Sequence, residues 1–560
     1  MIKTFRTSLL LTAAAVLVAG CSADSNDTAA ADSLVVSSSW AKAADSGMTA
    51  AFAELENTGD EDLHIVAATS SAAGSTELHE MVAGDGGAMV MRESESGFVV
   101  EAGSVHSLAP GGDHLMLMDL TGPIVPGSDV SFTLTFDDGS TKDFTAQVRD
   151  FAGAQEEYTP GHGGGEGTGH SAEFSRRRLL GGGAAVLGAA GLGAAGAGVA
   201  AATREPERMG ANSVDPHGVH QAGIDTEPQA FAAFVALDLK PDVDRVGVIG
   251  VMKVWAEDTR RLARGVPALG DTEPELAVDP ARLTVTVGYG SAVFDAAGSV
   301  AARPAWLRPL PPFDIDRLED RWSGGDLLLQ VCGDDPVTVS HAVRTLTKSV
   351  RSRASVRWVQ RGFRHAVGTR PDGLTMRNLM GQVDGTVNPQ PTTPDFDRQV
   401  WNAGEPAWLA GGTSLVLRRI RMELDTWDEL DRPAKDLVMG RRQSDGAPLT
   451  GTSERDDADF EAVDGHGIRV IPPESHVARA RPSSADEQFL RRAYNYDDDG
   501  AGLLFAAYQG DVDRQFVPVQ RRLAMHDALN TWTTPVGSAV FLIPPGYGPD
   551  GYPGDVLLEN

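Results

Sequence analysis

Residues 503–511 read Leu-Leu-Phe-Ala-Ala-Tyr-Gln-Gly-Asp, and residues 327–335 read Leu-Leu-Leu-Gln-Val-Cys-Gly-Asp-Asp. Each is a short, mainly apolar run that stops at glycine and acid. A run of that length, closed by turn residues, predicts a buried β-strand. A helical pattern follows each one, around 340–352 and around 516–529. Further strands are predicted at 231–239, 283–289, 414–422 and 539–543. A strand, an acidic turn and a helix, met twice, predict an α+β domain of two similar halves, each a sheet covered by helices on one face. This domain is expected over residues 213–555.

Upstream the pattern changes. Alternating segments at 34–40, 49–55, 63–67, 130–136 and 145–149 are separated by turns such as Asn57-Thr58-Gly59-Asp60 and Asp137-Asp138-Gly139. Short alternating strands between turn clusters predict a β-sandwich, expected over residues 33–153. A length of 560 residues accommodates both domains and a linker. Charge separates them as well. Residues 22–170 hold 25 acidic and 4 basic residues, while the whole chain is at −30. Two differently charged parts joined end to end fit that asymmetry. The acidity excludes broad nucleic-acid binding, which needs a basic footprint. Two cysteines exclude a disulfide-stapled fold and a Cys-rich zinc or iron–sulfur site.

Two segments have targeting character. Lys3 and Arg6 precede an apolar run at 9–19 that is too short to span a membrane. It ends in Leu17-Val18-Ala19-Gly20-Cys21, which resembles a bacterial lipobox. Residues 1–21 are then a lipoprotein signal peptide, and Cys21 is the lipidated first residue of the mature chain. The alternative is an ordinary cleaved signal with an incidental cysteine. Further on, Arg176-Arg177-Arg178 precedes 24 residues, 179–202, that are all Ala, Gly, Leu or Val. Arginines before a weakly apolar run resemble a Tat export signal. A transmembrane helix is a second reading, since the length suffices, although the glycines make it a poor one. A stranded signal that serves only as linker is the third. Either way residues 154–212 divide the chain. His162 and His170 within this linker are loose metal capture or plain Gly-rich spacer.

In the α+β domain three stretches carry chemistry: Asn378-Leu379-Met380-Gly381-Gln382-Val383-Asp384-Gly385-Thr386-Val387-Asn388-Pro389, Pro472-Pro473-Glu474-Ser475-His476-Val477 and Leu490-Arg491-Arg492-Ala493-Tyr494-Asn495-Tyr496. A glycine-flanked aspartate on a loop can approach a ligand closely. Read singly, each is weak: a lone histidine is more often structural, and Arg491 can pair with any of many carboxylates.

Together they are specific. With GRRQSDGAPLTG at 440–451 and LLFAAYQ at 503–509, the region from His220 to Gly546 resembles the dye-decolourising (DyP-type) haem peroxidases, in the Tat-exported branch that includes the bacterial deferrochelatases. The resemblance implies two ferredoxin-like halves with haem b in the C-terminal one. It implies His476 as the proximal ligand to haem iron and Asp384 with Arg491 as the distal catalytic pair. Arg491, Gly385 and Thr386 then lie against the haem, with Arg481 and Pro482 on its other side. A carboxylate can move the peroxide proton from one oxygen to the other. A guanidinium, always charged, stabilises the developing negative charge. The haem supplies the redox chemistry, with hydrogen peroxide as oxidant and a small organic donor, dye-like or phenolic. Family members commonly carry Arg two residues after the proximal histidine. Here that residue is Ala478 and Arg479 follows, which leaves open which arginine meets a propionate. Ala493 offers no polar side chain to peroxide, and Cys332 reads as an inert core residue.

The acidic domain carries His79-Glu80-Met81, Met89-Val90-Met91 and His114-Leu115-Met116-Leu117-Met118. Thioethers beside imidazoles suit Cu(I) and do little for harder ions. The alternative is that methionine fills core gaps. The phrases ELHEM, MVMR and PGGDHLMLM resemble the periplasmic copper chaperones of the PCu(A)C family, a cupredoxin-like β-sandwich. The resemblance implies Cu(I) ligation by His79, Met91, His114 and Met116. Met89 is an alternative to Met91, because the intervals are slightly longer than the family's.

The leading expectation is an exported haem peroxidase fused to a Cu(I)-binding chaperone module, with a copper-receiving partner protein conceivable. One rival is a deferrochelatase that takes haem as substrate and releases its iron. Another is a non-catalytic carrier of copper and haem, which needs neither Asp384 nor Arg491. An extracytoplasmic, lipid-anchored location fits the lipobox. If 179–202 spans, the peroxidase becomes cytoplasmic and Arg176 to Arg178 fall outside, against the positive-inside tendency.

Overall fold

The computed structural model describes residues 29–83, 89–151, 209–371 and 373–559. The expected signal peptide 1–21 with Cys21, and the linker through residue 208 with His162, His170 and the arginines at 176–178, lie outside these residues. Among the described residues no helix is long and apolar enough to cross a membrane.

The N-terminal domain is β-rich. Its described strands are β1 (Leu34–Lys42), β2 (Thr49–Asn57), β3 (Leu63–Thr69), β4 (Ala73–Ala83), β5 (Met89–Glu93), β6 (Phe98–Val100), β7 (Val105–Leu108), β8 (His114–Leu120), β9 (Asp129–Phe136) and β10 (Thr141–Arg149). They pair in the order β5-β4-β8-β2-β1-β10-β9-β3-β6, with β7 against β2. Alternation decides what is buried. Val130, Phe132, Leu134 and Phe136 of β9 turn inward, while Asp129 and Ser131 face water. Leu78, Leu115 and Leu117 join the same core. The residues between them therefore project from the other face of β4 and β8, and these are His79, His114 and Met116.

The C-terminal domain is α+β. Its first half runs β11 (Phe231–Leu239), α1 (Arg245–Leu262), β12 (Thr284–Tyr289), β13 (Leu327–Gly333), α2 (Pro336–Lys348) and β14 (Ala354–Phe363). The second runs β15 (Thr413–Met422), α3 (Arg432–Met439), α4 (His476–Ala480), β16 (Leu490–Arg491), β17 (Tyr494–Tyr496), β18 (Gly502–Gln509), α5 (Val517–His526) and β19 (Thr533–Ile543). Strand order is β12-β13-β11-β14 in one half and β19-β15-β18-β17 in the other, antiparallel throughout. Numbered within its half, with β16 and β17 counted as one interrupted strand because both pair with β18, each order is 4-1-3-2 in one direction or the other. The halves join edge to edge through Tyr289 opposite Leu542 and Phe363 opposite Asn495.

Among the element boundaries that differ from expectation, three in the C-terminal domain stand out. Helix α2 starts at Pro336, because the Asp335 carboxylate accepts from the Thr338 N–H at 2.7 Å and proline is favoured at a first helical position. Helix α5 ends at His526, and Asp527 then accepts from the Leu529 N–H at 2.9 Å to open a new turn. Strand β19 extends back to Thr533 along β15. Helix α1 was not anticipated. Its interior glycines, Gly247 and Gly250, each cost a helix about 1 kcal/mol. Burial of Val248, Val251, Met252 and Trp255 on its inner face offsets that, at about 1.5–3 kcal/mol for each large apolar side chain fully buried.

Candidate functional site

His476 is the first residue of α4. The neighbouring Glu474 carbonyl accepts from the Ala528 N–H at 2.9 Å, tying α4 to the chain after α5. That contact brings Asp527 beside the ring, and its Oδ2 lies 2.6 Å from His476 Nδ1. The aspartate side chain is 3% exposed and the imidazole 27%. Burial opposes charge on the ring, but the Asp527 carboxylate outweighs it and the imidazole pKa is raised. With Nδ1 held as the donor, Nε2 is the nitrogen presented to the pocket.

The Asp384 loop and β16 meet the same pocket. Asp384 Oδ1 lies 3.2 Å from Arg491 Nη1. Asn388 brackets the Arg491 backbone, donating to its carbonyl at 2.7 Å and accepting from its N–H at 3.2 Å. The loop is pinned from below by Glu454, which accepts from Thr386 Oγ1 at 2.9 Å and Thr375 Oγ1 at 2.5 Å. It rests on a small apolar cluster in which the Trp427 indole donates to the Met380 carbonyl at 3.2 Å. Gly385 has φ +123°, a region that favours glycine, and a Cβ there would meet nothing closer than 3.5 Å. Both members of the pair reach His476 electrostatically: Arg491 lowers its pKa and Asp384 raises it. The structure thus brings together His476, Asp384, Arg491, Gly385 and Thr386.

Arg481 and Pro482 are exposed at the end of α4. The Arg481 guanidinium lies over Phe460, 4.9 Å from the ring centroid. Arg479 differs: its Nε is buried with no hydrogen-bond partner, as is that of Arg522. Cys332 is fully buried, and burial raises its thiol pKa. Asp527, Glu454 and Asn388 were not identified from sequence. Asn388 lies within the glycine-marked stretch 378–389 but had no role assigned to it, Glu454 and Asp527 lie outside the marked motifs, and Asp527 is 51 positions from the ring it holds.

In the N-terminal domain His79 and His114 stand directly opposite each other on β4 and β8, with ring centroids 5.5 Å apart. Met116 faces Glu77 on the same pair of strands and is 6% exposed. Met91 faces Met81 across β4 and β5, so its side chain shares the face of His79. Met89 occupies the register position opposite Ala83. The Glu77 carboxylate is 2.9 Å from His79 Nε2, while His79 Nδ1 is buried without a partner. The His114 Nδ1 is 2.8 Å from the Gly112 carbonyl. Among the described residues no group of three or more His, Cys, Asp or Glu side chains is placed to hold a metal ion. A metal on this face would need the thioethers.

Residues 221–364 match the family described as Dyp-type peroxidase, N-terminal, and residues 375–548 match Dyp-type peroxidase, C-terminal. Residues 34–148 match the LpqE-like family, so the N-terminal domain is of the LpqE-like, PCu(A)C type. A dye-decolorizing peroxidase of Thermobifida fusca is 41% identical over 368 residues, which are 61% of this chain and 86% of that protein. A deferrochelatase of Yersinia pestis is 36% identical over 402 residues, 66% of this chain and 92% of that protein. The crystal structure of a DyP-type peroxidase from Cellulomonas bogoriensis superposes with a TM-score of 0.61 at 55% identity, covering 63% of this chain and all of that one. Carrying this α+β domain behind a β-rich one, the chain belongs to the DyP-type haem peroxidase family.

Proposed function

We propose that the C-terminal domain reduces hydrogen peroxide at haem b held by His476 and draws electrons from small dye-like or phenolic donors. The observation that carries this reading is the position of the Asp384–Arg491 pair, where both groups act on the imidazole fixed by Asp527. The pocket residues fit the cofactor. His476 presents one ring nitrogen, Gly385 removes side-chain bulk, and Arg479 keeps a buried unpartnered Nε suited to a propionate, whereas Arg522 is already paired with Glu487 at 2.8 Å. Of the arginines that the sequence leaves open for that contact, Arg479 is the one favoured. When bound, haem supplies the electron-transfer chemistry. Asp384 takes the proton from the near peroxide oxygen and returns it to the far one, while Arg491 stabilises the charge that develops between those steps. The matching 4-1-3-2 strand orders support the reading of two ferredoxin-like halves.

The relatives named deferrochelatase support a second reading, release of iron from haem in the same pocket. Incubation with haem under anaerobic, peroxide-free conditions and analysis of the porphyrin products separates the two. Metal-free protoporphyrin would favour iron release, and its absence alongside peroxide-dependent dye oxidation would favour the peroxidase. A pure carrier does not account for a distal carboxylate and guanidinium held as a pair.

For residues 33–153 we propose a cupredoxin-like fold and one Cu(I) bound by His79, His114, Met116 and either Met91 or Met89. The buried, unpartnered Nδ1 of His79 supports this, since a buried polar atom calls for a partner. Glu77, on the other ring nitrogen, would fix the tautomer. His114→Ala with Met116→Ala is expected to lower Cu(I) affinity at least about tenfold, and Met116→Ala alone is expected to weaken Cu(I) more than Cu(II). Competition with a Cu(I) chelator measures both. Equal Cu(I) affinity in the double variant and wild type would make these residues packing.

We place both domains outside the cytoplasm, anchored through Cys21, with residues 154–212 as the divider. Protease accessibility of the peroxidase domain in intact spheroplasts tests this, and full protection would reverse the assignment.

A further inference from the structure

We propose that the β-rich domain is a docked, resident partner of the peroxidase domain, seated on helix α1, and not a passenger on a tether. Three separate kinds of contact point there. The first is an ion pair: Arg149 Nη2 of β10 lies 2.5 Å from Asp258 Oδ1 of α1, with side chains 3% and 1% exposed. Charges taken out of water this far are tolerated only in a closed, well-packed setting. The second is a backbone approach. A Cβ on Gly250 of α1 would lie 2.6 Å from the Pro126 carbonyl oxygen, and one on Gly127 would lie 2.4 Å from Gly250 Cα. Gly250 is a poor residue for a helix interior, and this contact supplies its reason. The third is apolar. Trp40, Phe52 and Phe151 form a buried aromatic cluster packed on Leu269 of the peroxidase domain. Around it, Ser38 Oγ accepts from Arg261 Nη2 at 3.2 Å, and the Asp150 carboxylate accepts from the Ser352 N–H at 2.6 Å. The Phe52 ring also stands 6.2 Å from that of His114, so the imidazole-bearing face runs into the interface. Docking therefore carries the two candidate sites on one body at a fixed separation.

The test uses the full chain. Small-angle scattering of the wild type is expected to report one compact monomer. Gly250→Leu improves the helix as an isolated element, but it drives a side chain into the Pro126–Gly127 backbone. A docked pair should therefore open, with a larger radius of gyration and two separate thermal transitions. A tethered pair would show the same scattering as wild type and a higher melting temperature. Arg149→Leu should open the pair too, by leaving Asp258 buried alone, and Arg149→Leu with Asp258→Leu should close it again. An extended wild type, a Gly250→Leu variant as compact as wild type, or an obligate dimer mass would each overturn the proposal. It does not depend on copper: a domain that binds no Cu(I) would leave the scattering result unchanged.

Discussion

His476→Ala is expected to yield a folded protein with little bound haem and no Soret band. The imidazole is the first residue of α4 and 27% exposed, so its removal leaves a small, accessible gap and not a collapsed core. What changes is the pocket. Asp527, 3% exposed, loses the group it holds and keeps only the Leu529 N–H. A companion, Asp527→Asn, should retain haem less tightly, because partners of a ligating histidine typically contribute about 10–100-fold in metal affinity or activity. Haem content by pyridine haemochrome and the Soret spectrum read both variants, with circular dichroism as the check on folding. Full haem loading and activity in His476→Ala would overturn the assignment of this residue.

Much of the architecture was legible because its residues follow a strict period. β11 runs over Phe231–Leu239 as the apolar run predicts, and β9 alternates residue by residue. The strand–turn–helix units at 327–348 and 502–526 were found for the same reason. Helix α1 was missed because Gly247 and Gly250 weaken its propensity, and the cause of Gly250 lies in another domain, at Gly127. No local pattern encodes that contact. Asp384, His476 and Arg491 were legible because their motifs set them apart, and the fold brings them to one pocket. Asp527 was not, since it falls inside the helical pattern expected around 516–529, where nothing marks it. The helix ends at His526, and Asp527 caps the next turn through Oδ1 and partners His476 through Oδ2. The histidine pair at 79 and 114 needed the β4–β8 register to become a pair, and the register also separates Met116 from Leu115 and Leu117, which fill the core.

Asp384→Asn and Arg491→Leu are each expected to keep haem and to slow the reaction with peroxide by about 10²–10⁴-fold. Neither substitution should unfold the domain. Asn378 donates to Asp384 only at 3.4 Å, and asparagine occupies the same volume. The Arg491 backbone is fixed by Asn388 and by pairing with Ala507, while its side chain is 22% exposed. The two variants fail for different reasons. Without the carboxylate, no group in the Asp384–Arg491 pair can accept a proton, since arginine stays charged. Without the guanidinium, the carboxylate remains but the developing charge on peroxide is unopposed. Stopped-flow mixing with peroxide, followed in the Soret region, measures the rate directly. Wild-type rates in both variants would sink the distal-pair reading, and a slow rate in one alone would assign O–O cleavage mainly to that residue.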